Sequence, residues 1–443
     1  MNDVVCPRIM NHVYTGTRNE RRLCCSASPR VSQDKQRTDE EWWNSEEMKS
    51  IRLRMLAGEK LEQCGVCYYR EENGLESLRQ LGLKEWDVDA LIPLVNEDGS
   101  MDVQPEHFEH KTVHCNLQCQ SCNPIFSSTW AQLEKKMYGF EWPNNFDKPY
   151  EKTHADSIIK SILEKRCKRI DWAGGEPMMM PIHWKVTDKL VELLDNPEYS
   201  DYVKTIRIQY NTNVTQSMWK NKSIPEMLKP FNIEMRTSMD GVGDVFEYNR
   251  DGAKWDECWR NWNAYHDLGF EMEINAVYTS TLLMNMEEYQ KIYCDKDVRF
   301  SDHIYICYPE TYKGGGQGFA DVRLFPQHIF DRIITNAENS LKKYMNDGYE
   351  RGLDILRIYR EEKNKYSHIF EDEEVLSKAK GYMQYRDNFC ENVKFQNLIW
   401  DLDQEAAEWI DSIEPLPFDP NENKMSGFKP EDWESIPRYG EIQ

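Results

Sequence analysis

Short apolar runs alternate with longer amphipathic stretches through the middle of the chain, from about residue 108 to residue 325. The short runs have the length and the β-branched and aromatic content of buried strands, and the stretches between them have the period of helices with one apolar face. Repeated alternation of strand and helix is typical of βα units around a parallel sheet. The pattern therefore predicts an α/β fold with six βα units.

Six strands and six helices are predicted in this region. The strands are Lys111–His114, Arg169–Ala173, Thr205–Thr212, Asn232–Met239, Glu271–Tyr278 and His303–Tyr308. The helices are Thr129–Tyr138, His154–Lys165, His183–Leu194, Met218–Leu228, Trp255–Leu268 and Met286–Tyr293. In parallel βα folds the functional groups lie at the carboxyl ends of the strands, so we look for chemistry there.

Two further regions flank the predicted sheet. Residues 1–107 carry the first five cysteines and are predicted to form a cysteine-rich module, and residues 326–443 are predicted to form a helical C-terminal region. From residue 401 onward the chain is acidic and rich in proline, which favours a loosely packed tail. Domain boundaries are therefore predicted near 107 and 325.

Composition and charge narrow the class of protein. The chain has 443 residues, of which 40% are hydrophobic and 30% charged, as expected of a folded protein. Its 55 basic and 77 acidic residues give a net charge of −22, which repels nucleic acids and anionic membranes. We find neither a signal-peptide pattern nor an apolar run of membrane-spanning length, and we expect a cytoplasmic protein without nucleic-acid or membrane partners.

The thirteen cysteines fall into two short-spaced groups and a remainder. In a reducing compartment, cysteines spaced closely along the chain favour metal ligation over disulfides. The first group is Cys6, Cys24, Cys25, Cys64 and Cys67, and the second is Cys115, Cys119 and Cys122. We assign no role to the five others, which are Cys167, Cys258, Cys294, Cys307 and Cys390.

The second group has the spacing C-x3-C-x2-C directly after the first predicted strand. Three thiolates on one loop can bind three irons of a [4Fe–4S] cluster and leave the fourth iron open to another ligand. A structural zinc site would need a fourth ligand, and the neighbouring His114 is the residue that would supply it. An open iron–sulfur cluster is the favoured interpretation, with zinc as the alternative.

Polar and glycine residues follow the next three predicted strands. Gly174 and Gly175 allow close backbone approach, and the carboxylate of Glu176 can accept from an ammonium group; alternatively, this is an ordinary turn with a solvated Glu. Residues Asn211–Thr215 can hydrogen-bond a polar ligand or cap a helix. Arg250 can bind a carboxylate with two hydrogen bonds or form a surface ion pair.

Taken in order, the loop CNLQCQSC, the turn GGEP, the strand end TNVT and the segments SMDG and YNRDG resemble the radical S-adenosylmethionine (SAM) superfamily. The resemblance covers about 110–325 and implies a partial (βα)6 barrel. It implies that Cys115, Cys119 and Cys122 bind a redox-active [4Fe–4S] cluster whose open iron chelates SAM. Ser121 departs from the family pattern, because many members carry an aromatic residue before the last cysteine.

The same resemblance implies a set of SAM contacts. Gly174, Gly175 and Glu176 are expected at the amino group, and Ser238 and Arg250 at the ribose or carboxylate. Asn213 is expected on the ribose side.

The N-terminal cysteines, in a pattern over about 6–72, are similar to the twitch or SPASM-type auxiliary modules of radical SAM enzymes. Such modules usually follow the barrel, whereas this one would precede it. The resemblance implies a second [4Fe–4S] cluster, and a zinc ribbon with four cysteines is the alternative. The expected ligands are Cys6, Cys24, Cys64 and Cys67, with Cys25 competing for the place of Cys24.

The resemblance also implies an activity. An electron donor such as flavodoxin or ferredoxin would reduce the first cluster, and cleavage of SAM would give a 5′-deoxyadenosyl radical that abstracts a hydrogen atom. We expect oxidative modification or cross-linking of a peptide or protein, with oxidation or rearrangement of a small polar metabolite as the alternative. In a third hypothesis, from another class, the chain is a non-catalytic iron–sulfur electron carrier or scaffold.

Overall fold

A computed structural model describes residues 4–17, 20–27, 38–72, 74, 76–124, 126–139, 151–305, 318–345 and 348–418. The fold is α/β, as predicted, and its main element is an eight-stranded sheet in the order β11-β9-β8-β5-β4-β3-β1-β2. All neighbouring strands of this sheet run parallel except β1 and β2, which are antiparallel. The strands are β1 His12–Thr15, β2 Arg21–Arg22, β3 His107–Thr112, β4 Arg169–Gly174, β5 Arg207–Thr212, β6 Met218–Trp219, β7 Lys222–Ser223, β8 Asn232–Thr237, β9 Glu271–Ile274, β10 Val277–Tyr278, β11 Arg299–Phe300 and β12 His303–Ile304.

Helices fill the segments between the strands and most of the C-terminal region. The N-terminal helices are α1 Arg8–Asn11, α2 Asp39–Trp43, α3 Glu46–Leu56, α4 Gly65–Glu72, α5 Leu78–Glu85 and α6 Val88–Leu91. The helices of the sheet region are α7 Ser128–Tyr138, α8 Glu151–Leu163, α9 Pro181–Leu194, α10 Ser200–Thr205, α11 Ile224–Leu228, α12 Asp244–Asn249, α13 Trp255–Asp267, α14 Ser280–Met284 and α15 Met286–Tyr293. The C-terminal helices are α16 Gln327–Tyr344, α17 Tyr349–Lys365, α18 Ser367–Phe370, α19 Glu373–Asp387, α20 Phe395–Leu402 and α21 Gln404–Ser412. Among the described residues, none of these helices combines the length and the apolar character needed to cross a membrane.

The two faces of the sheet differ in chemistry because side chains alternate along each strand. Residues such as Ile170, Ile208 and Met235 are apolar and buried, and they belong to one continuous core with the surrounding helices. The alternate residues form a second face, which we call the charged face. Its members are Glu109, Lys111, Arg169, Asp171, Ala173, Arg207, Gln209, Asn211, Glu234, Arg236, Glu273 and Arg299.

The carboxylates of the charged face are buried and paired. Glu234 lies 1% exposed between Arg207, which donates a hydrogen bond to it, and Arg236, whose Nε is 3.0 Å from its Oε1. Burial raises the pKa of Glu234, but the two arginines lower it by a larger amount, so the pKa lies below its usual value. Since an unpaired buried carboxylate is costly, the pair of Arg207 in β5 with Glu234 in β8 favours these two strands as neighbours.

The N-terminal segment contributes to the same sheet. Strand β1 pairs in parallel with β3, with His12 opposite His107 and Thr15 opposite His110. The chain between these two strands forms α2 to α6, and its apolar residues belong to the same core as those of the sheet. The boundary near 107 and the closure of a partial barrel stay predictions.

Most predicted elements are present, with four differences. The first strand, predicted at Lys111–His114, is β3 at His107–Thr112 and begins four residues earlier. Residues 218–223, predicted as the start of a helix, form the hairpin β6–β7, in which Lys220 and Asn221 have positive φ angles of 45° and 63°, and α11 begins at Ile224. The predicted strand 271–278 is divided into β9 and β10. The edge strand of the main sheet is β11, whereas the segment His303–Tyr308, predicted as the sixth strand, contains β12, which pairs with β10. Residues 306–308, Cys307 among them, and the tail beyond 418 lie outside the described residues.

A buried carboxyl group lies just after β11. Asp302 accepts a hydrogen bond from the hydroxyl of Tyr278 at 2.6 Å and one from the backbone N–H of Ala276 at 3.4 Å. Burial raises the pKa of Asp302 to about 7, against these two hydrogen bonds, which lower it. The folded protein therefore binds this proton more tightly than the unfolded chain, in which the pKa is near 3.8.

Because of this shift, the contribution of Asp302 to stability is most favourable at low pH and is lost as pH rises from about 4 to about 7. We expect Asp302→Asn to reduce the loss of stability between pH 5 and pH 8 by at least about 1 kcal/mol, since a pKa change of one corresponds to ~1.4 kcal/mol. Urea unfolding at both pH values measures this difference. The exposed Asp354→Asn is the control, and an equal pH dependence in Asp302→Asn and the wild type would contradict the expectation.

Candidate functional site

The cysteine loop follows β3 at its carboxyl end, where the sequence predicted it. The first turn of α7 holds this loop from one side. The N–H of Cys115 donates to Ser128 Oγ at 3.2 Å, and the hydroxyl of Thr129 donates to the carbonyl of Cys115 at 2.5 Å. The indole N–H of Trp130 donates to the carbonyl of Cys119 at 2.7 Å. The loop is therefore fixed by its backbone, and its thiols remain available.

The two glycines after β4 lie directly against this loop. The N–H of Gly175 donates to the carbonyl of Thr112 at 2.7 Å, and the N–H of Glu176 donates to that of His114 at 2.5 Å. A Cβ on Gly174 would lie 2.2 Å from the carbonyl oxygen of Thr112, and Gly174 has a φ of 91°. A Cβ on Gly175 would lie 2.1 Å from the carbonyl oxygen of His114. Both glycines are required by this backbone contact.

Glu176 connects the same turn to the next strand. Its carboxylate is fully buried and accepts from the N–H of Asn213 at 2.8 Å, from the N–H of Met178 at 3.1 Å and from the hydroxyl of Thr212 at 2.9 Å. Burial raises the pKa of Glu176 to about 6, although these hydrogen bonds lower it. The carboxylate thus points into the protein, toward the carboxyl end of β5.

One cavity of about 260 Å³ brings the predicted site residues together. Those that line it are Cys115, Cys119, Cys122, Gly174, Gly175, Asn213, Ser238 and Arg250. Glu176 lies behind the wall rather than in it. The cavity therefore lies at the carboxyl ends of β3, β4, β5 and β8, as expected for a parallel sheet.

Six further residues line the cavity, of which only Asn211 and Thr212 belong to a segment that the sequence predicted to bind a polar ligand. The six are Lys111, Leu117, Phe126, Ala173, Asn211 and Thr212. Lys111, Ala173 and Asn211 belong to the charged face, and knowledge of the strand register would have found them. Phe126 lies four residues after Cys122 and is 44% exposed although it is aromatic. No pattern in the sequence predicts that it lines the cavity.

Three hydrogen bonds are donated to the cysteine sulfurs of this cavity. Arg250 donates from Nη1 to Cys119 Sγ at 3.3 Å, Asn213 donates from Nδ2 to Cys115 Sγ at 3.8 Å, and the N–H of Leu117 donates to Cys115 Sγ at 3.5 Å. Such donors stabilise a thiolate and tune a metal group bound to it.

Arg250 is held in place by its own partners. Its Nε donates to the carbonyl of Ser238 and lies 3.1 Å from the carboxylate of Asp240. Burial alone would lower the pKa of Arg250, but Asp240 and Cys119 raise it overall, so the guanidinium stays charged. The geometry shows a buried ion pair with Asp240 rather than the surface pair that was the alternative prediction.

Burial disfavours the thiolate form of the three cysteines in the loop. Burial raises the pKa of Cys115 to about 12 and moves the pKa values of Cys119 and Cys122 in the same direction. Binding of a metal group to these sulfurs would therefore displace their protons.

The C-terminal helix α19 also holds the loop, which the sequence did not predict, and its Arg386 lies over the ring of Trp130 in α7. Arg386 donates to the carbonyl of Gln118 and to the carboxylate of Asp251, both at 3.0 Å. Asp251 also accepts from the side chain of Gln118 at 2.8 Å and from the N–H of Glu391 at 2.9 Å. Arg386 and Asp251 are almost fully buried, so this pair is shielded from water.

The N-terminal cysteines line a second, smaller cavity of about 20 Å³. Cys6, Cys24, Cys64 and Cys67 all belong to its wall, whereas Cys25 does not. The cavity lies between Cys6 just before α1, Leu23 and Cys24 just after β2, and Cys64 and Cys67 at the start of α4. Burial raises the pKa of Cys6 to about 11 and that of Cys24 to about 12.

Neither group is packed closely around a point. Within the described ranges, no three histidine, cysteine or carboxylate side chains converge as they would around a single metal ion. Each set of thiols is spread over the wall of its cavity instead.

No protein-family model matches the chain, and no curated protein matches it. The chain is similar to a solved structure of anSMEcpe with bound AdoMet, at 18% identity over 53% of this chain and 62% of that chain, with a TM-score of 0.33. It is also similar to Streptococcus suis SuiB bound to the precursor peptide SuiA, at 15% identity over 63% of this chain and 60% of that chain, with a TM-score of 0.35. A third is the radical S-adenosylmethionine methyltransferase TsrM from Kitasatospora setae with cobalamin and a [4Fe–4S] cluster bound (11%, 42% and 34%, 0.29). The chain spans less than two thirds of the length of each. At these identities and TM-scores the similarity carries no argument about activity.

The close contact of the glycine turn with the cysteine loop leads to a test of stability. We expect Gly175→Ala to lower the free energy of unfolding by about 3 kcal/mol, the upper end of typical over-packing costs, because its Cβ meets a backbone oxygen that cannot move freely. Gly65→Ala is the matched control, since no atom lies within 4 Å of a Cβ there, and a change below about 1 kcal/mol is expected. Urea unfolding of both variants measures the difference, and equal stabilities would refute it.

Proposed function

We propose that this protein is a radical SAM enzyme. The proposal rests on one cavity, whose wall combines three cysteines of one loop with Gly174, Gly175, Asn213, Ser238 and Arg250. When bound there, a [4Fe–4S] cluster with SAM supplies one-electron cleavage of the sulfonium, giving methionine and a 5′-deoxyadenosyl radical that abstracts a hydrogen atom from the substrate.

The residues of the cavity fit an open cluster. Cys115, Cys119 and Cys122 would bind three irons, and in the described part of the chain no fourth cysteine and no histidine lines this cavity. The hydrogen bonds from Arg250 and Asn213 to the sulfurs suit a thiolate ligand set. A closed zinc site would need a fourth ligand, so the geometry favours the cluster over zinc.

The remaining residues would position SAM. The backbone of Gly174 and Gly175 forms the wall where the amino group is proposed to bind, and Glu176 holds that wall by its hydrogen bonds to the end of β5. Ser238 and Arg250 are proposed at the ribose or carboxylate, and Asn213 on the ribose side. Packing of Leu117 and Phe126 at the cavity would help to exclude water from the reacting atoms.

The second cysteine cavity supports a second [4Fe–4S] cluster. Its four cysteines complete a ligand set without Cys25, which agrees with Cys24 rather than Cys25 as the ligand. A four-cysteine zinc site is the alternative there. An auxiliary cluster would favour a net oxidation or cross-link, because it can take up an electron from a substrate radical.

We propose a peptide or protein as the substrate and a flavodoxin or ferredoxin as the electron donor. The second candidate is a small polar metabolite, which is favoured by one observation: the cavity opens onto Lys111 and Asn211 of the charged face, and the side-chain oxygen of Asn211 is buried without a hydrogen-bond donor in the described structure. A polar group of a ligand would satisfy that oxygen.

Anaerobic reconstitution with iron and sulfide, followed by reduction in the presence of SAM, tests the activity. We expect roughly eight irons per chain and release of 5′-deoxyadenosine. Eight irons without 5′-deoxyadenosine would refute the enzyme and leave an electron carrier or scaffold. About four irons with one zinc would rule out the second iron–sulfur cluster but leave the proposed enzyme activity standing.

Single cysteine variants separate the two cavities. We expect Cys119→Ala to abolish SAM cleavage, because it removes a proposed ligand of the open cluster. Cys64→Ala is expected to leave cleavage intact but to prevent formation of the modified product. Chromatography of 5′-deoxyadenosine and mass spectrometry of the substrate measure both steps, with Cys294→Ala, in neither cavity, as the control. Cleavage of SAM by Cys119→Ala would show that the ligand assignment is wrong.

A further inference from the structure

The second cysteine cavity contains a buried arginine whose hydrogen bonds are incomplete. Arg8, the first residue of α1, lines this cavity together with Cys6, Cys24, Cys64 and Cys67. Its Nε and Nη1 are buried and have no hydrogen-bond acceptor among the described residues. The nearest carboxylate oxygen, Glu109 Oε2, is 3.7 Å from Nη1, an ion-pair distance too long for a hydrogen bond.

A second arginine in the same wall shows the contrast. Arg79 also lines the cavity, but it donates to the carboxylate of Glu71 at 2.5 Å and 3.0 Å and to the carbonyl of Val5 at 3.2 Å. The charge of Arg79 is therefore paired within the protein. Arg8, by contrast, has two buried donor atoms without an acceptor among the described residues. An unsatisfied buried donor of a charged group is costly.

Four cysteines lie in the same cavity wall as Arg8, and a guanidinium keeps its charge in proteins. Arg250 lines the first cavity and donates to Cys119 Sγ. Each cysteine cavity thus has an arginine in its wall, but only Arg8 has buried donors that no described acceptor satisfies.

We propose that Arg8 is the counter-charge of the iron–sulfur cluster in the second cavity and raises its reduction potential. The inference rests on the proposed function, since it requires a cluster bound to these four cysteines. A cluster with four thiolate ligands is anionic and gains another negative charge on reduction, so a fixed guanidinium beside it stabilises the reduced state more than the oxidised one. Arg8 would thereby act as a positioning residue, without touching substrate.

Glu109 connects this arginine with the first cavity. Its carboxylate lies 3.7 Å from both Arg8 and Lys111, and Lys111 lines the first cavity. Arg8 of α1 and Glu109 and Lys111 of β3 thus form a row of charges that links the walls of the two cavities. Removal of the Glu109 charge is therefore expected to raise the potential of the second cluster, the opposite of removing Arg8.

A redox titration of the reconstituted full-length protein, monitored by electron paramagnetic resonance, tests the role of Arg8. Addition of SAM identifies the signal of the open cluster, and the other signal belongs to the second cavity. We expect Arg8→Gln to keep the iron content and to lower the equilibrium constant for reduction of the second cluster about tenfold, which is ~59 mV for one electron. Arg8→Lys keeps the charge and should shift the potential less, Glu109→Gln should raise it, and the exposed Arg54→Gln should leave it unchanged.

Different results would overturn different parts of this scheme. An unchanged potential in Arg8→Gln, with full iron content, overturns the inference and leaves the proposed function standing. A wild-type protein with about four irons and an intact SAM-responsive signal lacks the second cluster, which overturns that part of the proposed function and the inference with it. Loss of the second cluster from both Arg8 variants, but not from Arg54→Gln, would assign Arg8 to assembly of the cavity rather than to its potential.

Discussion

The backbone contact between the cysteine loop and the glycine turn is the constraint on which the site depends. Two hydrogen bonds join Thr112 and His114 to Gly175 and Glu176, at a distance that leaves no room for a side chain. Glu176 then carries the connection to the end of β5 through its buried carboxylate. The carboxyl ends of β3, β4 and β5 are joined to one another in this way. The thiols lie on the open side of a wall that is rigid because it is made of backbone.

The charged face gives the sheet its second set of constraints. In most βα folds both faces of a parallel sheet are apolar, whereas here carboxylates such as Glu234 and Glu273 are buried beside arginines of neighbouring strands. A wrong strand order would leave several of these charges unpaired. The same residues continue to the first cavity through Lys111 and Asn211, so strand pairing and the polar character of the site have one origin.

The sequence predicted what local patterns encode. Helix and strand periodicity located α13 and α15 to within a residue, and the cysteine spacing led to the cavity with Asn213 and Arg250. It did not reveal that β1 extends the sheet, since a strand of four residues carries no clear signal without its partner. The pairing of Arg386 with Asp251 was missed for the same reason. The roles of the site residues in binding SAM stay predictions.

The contact between α19 and the cysteine loop has a consequence for biosynthesis. Arg386 and Gln118 are 268 residues apart in sequence, yet the arginine satisfies a backbone carbonyl in the middle of the loop. At a synthesis rate of ~10 residues per second, roughly half a minute separates the emergence of the three cysteines from that of the helix that braces them. The nascent loop therefore spends that interval without the hydrogen bond from Arg386, and its fully braced form exists only after this helix has left the ribosome.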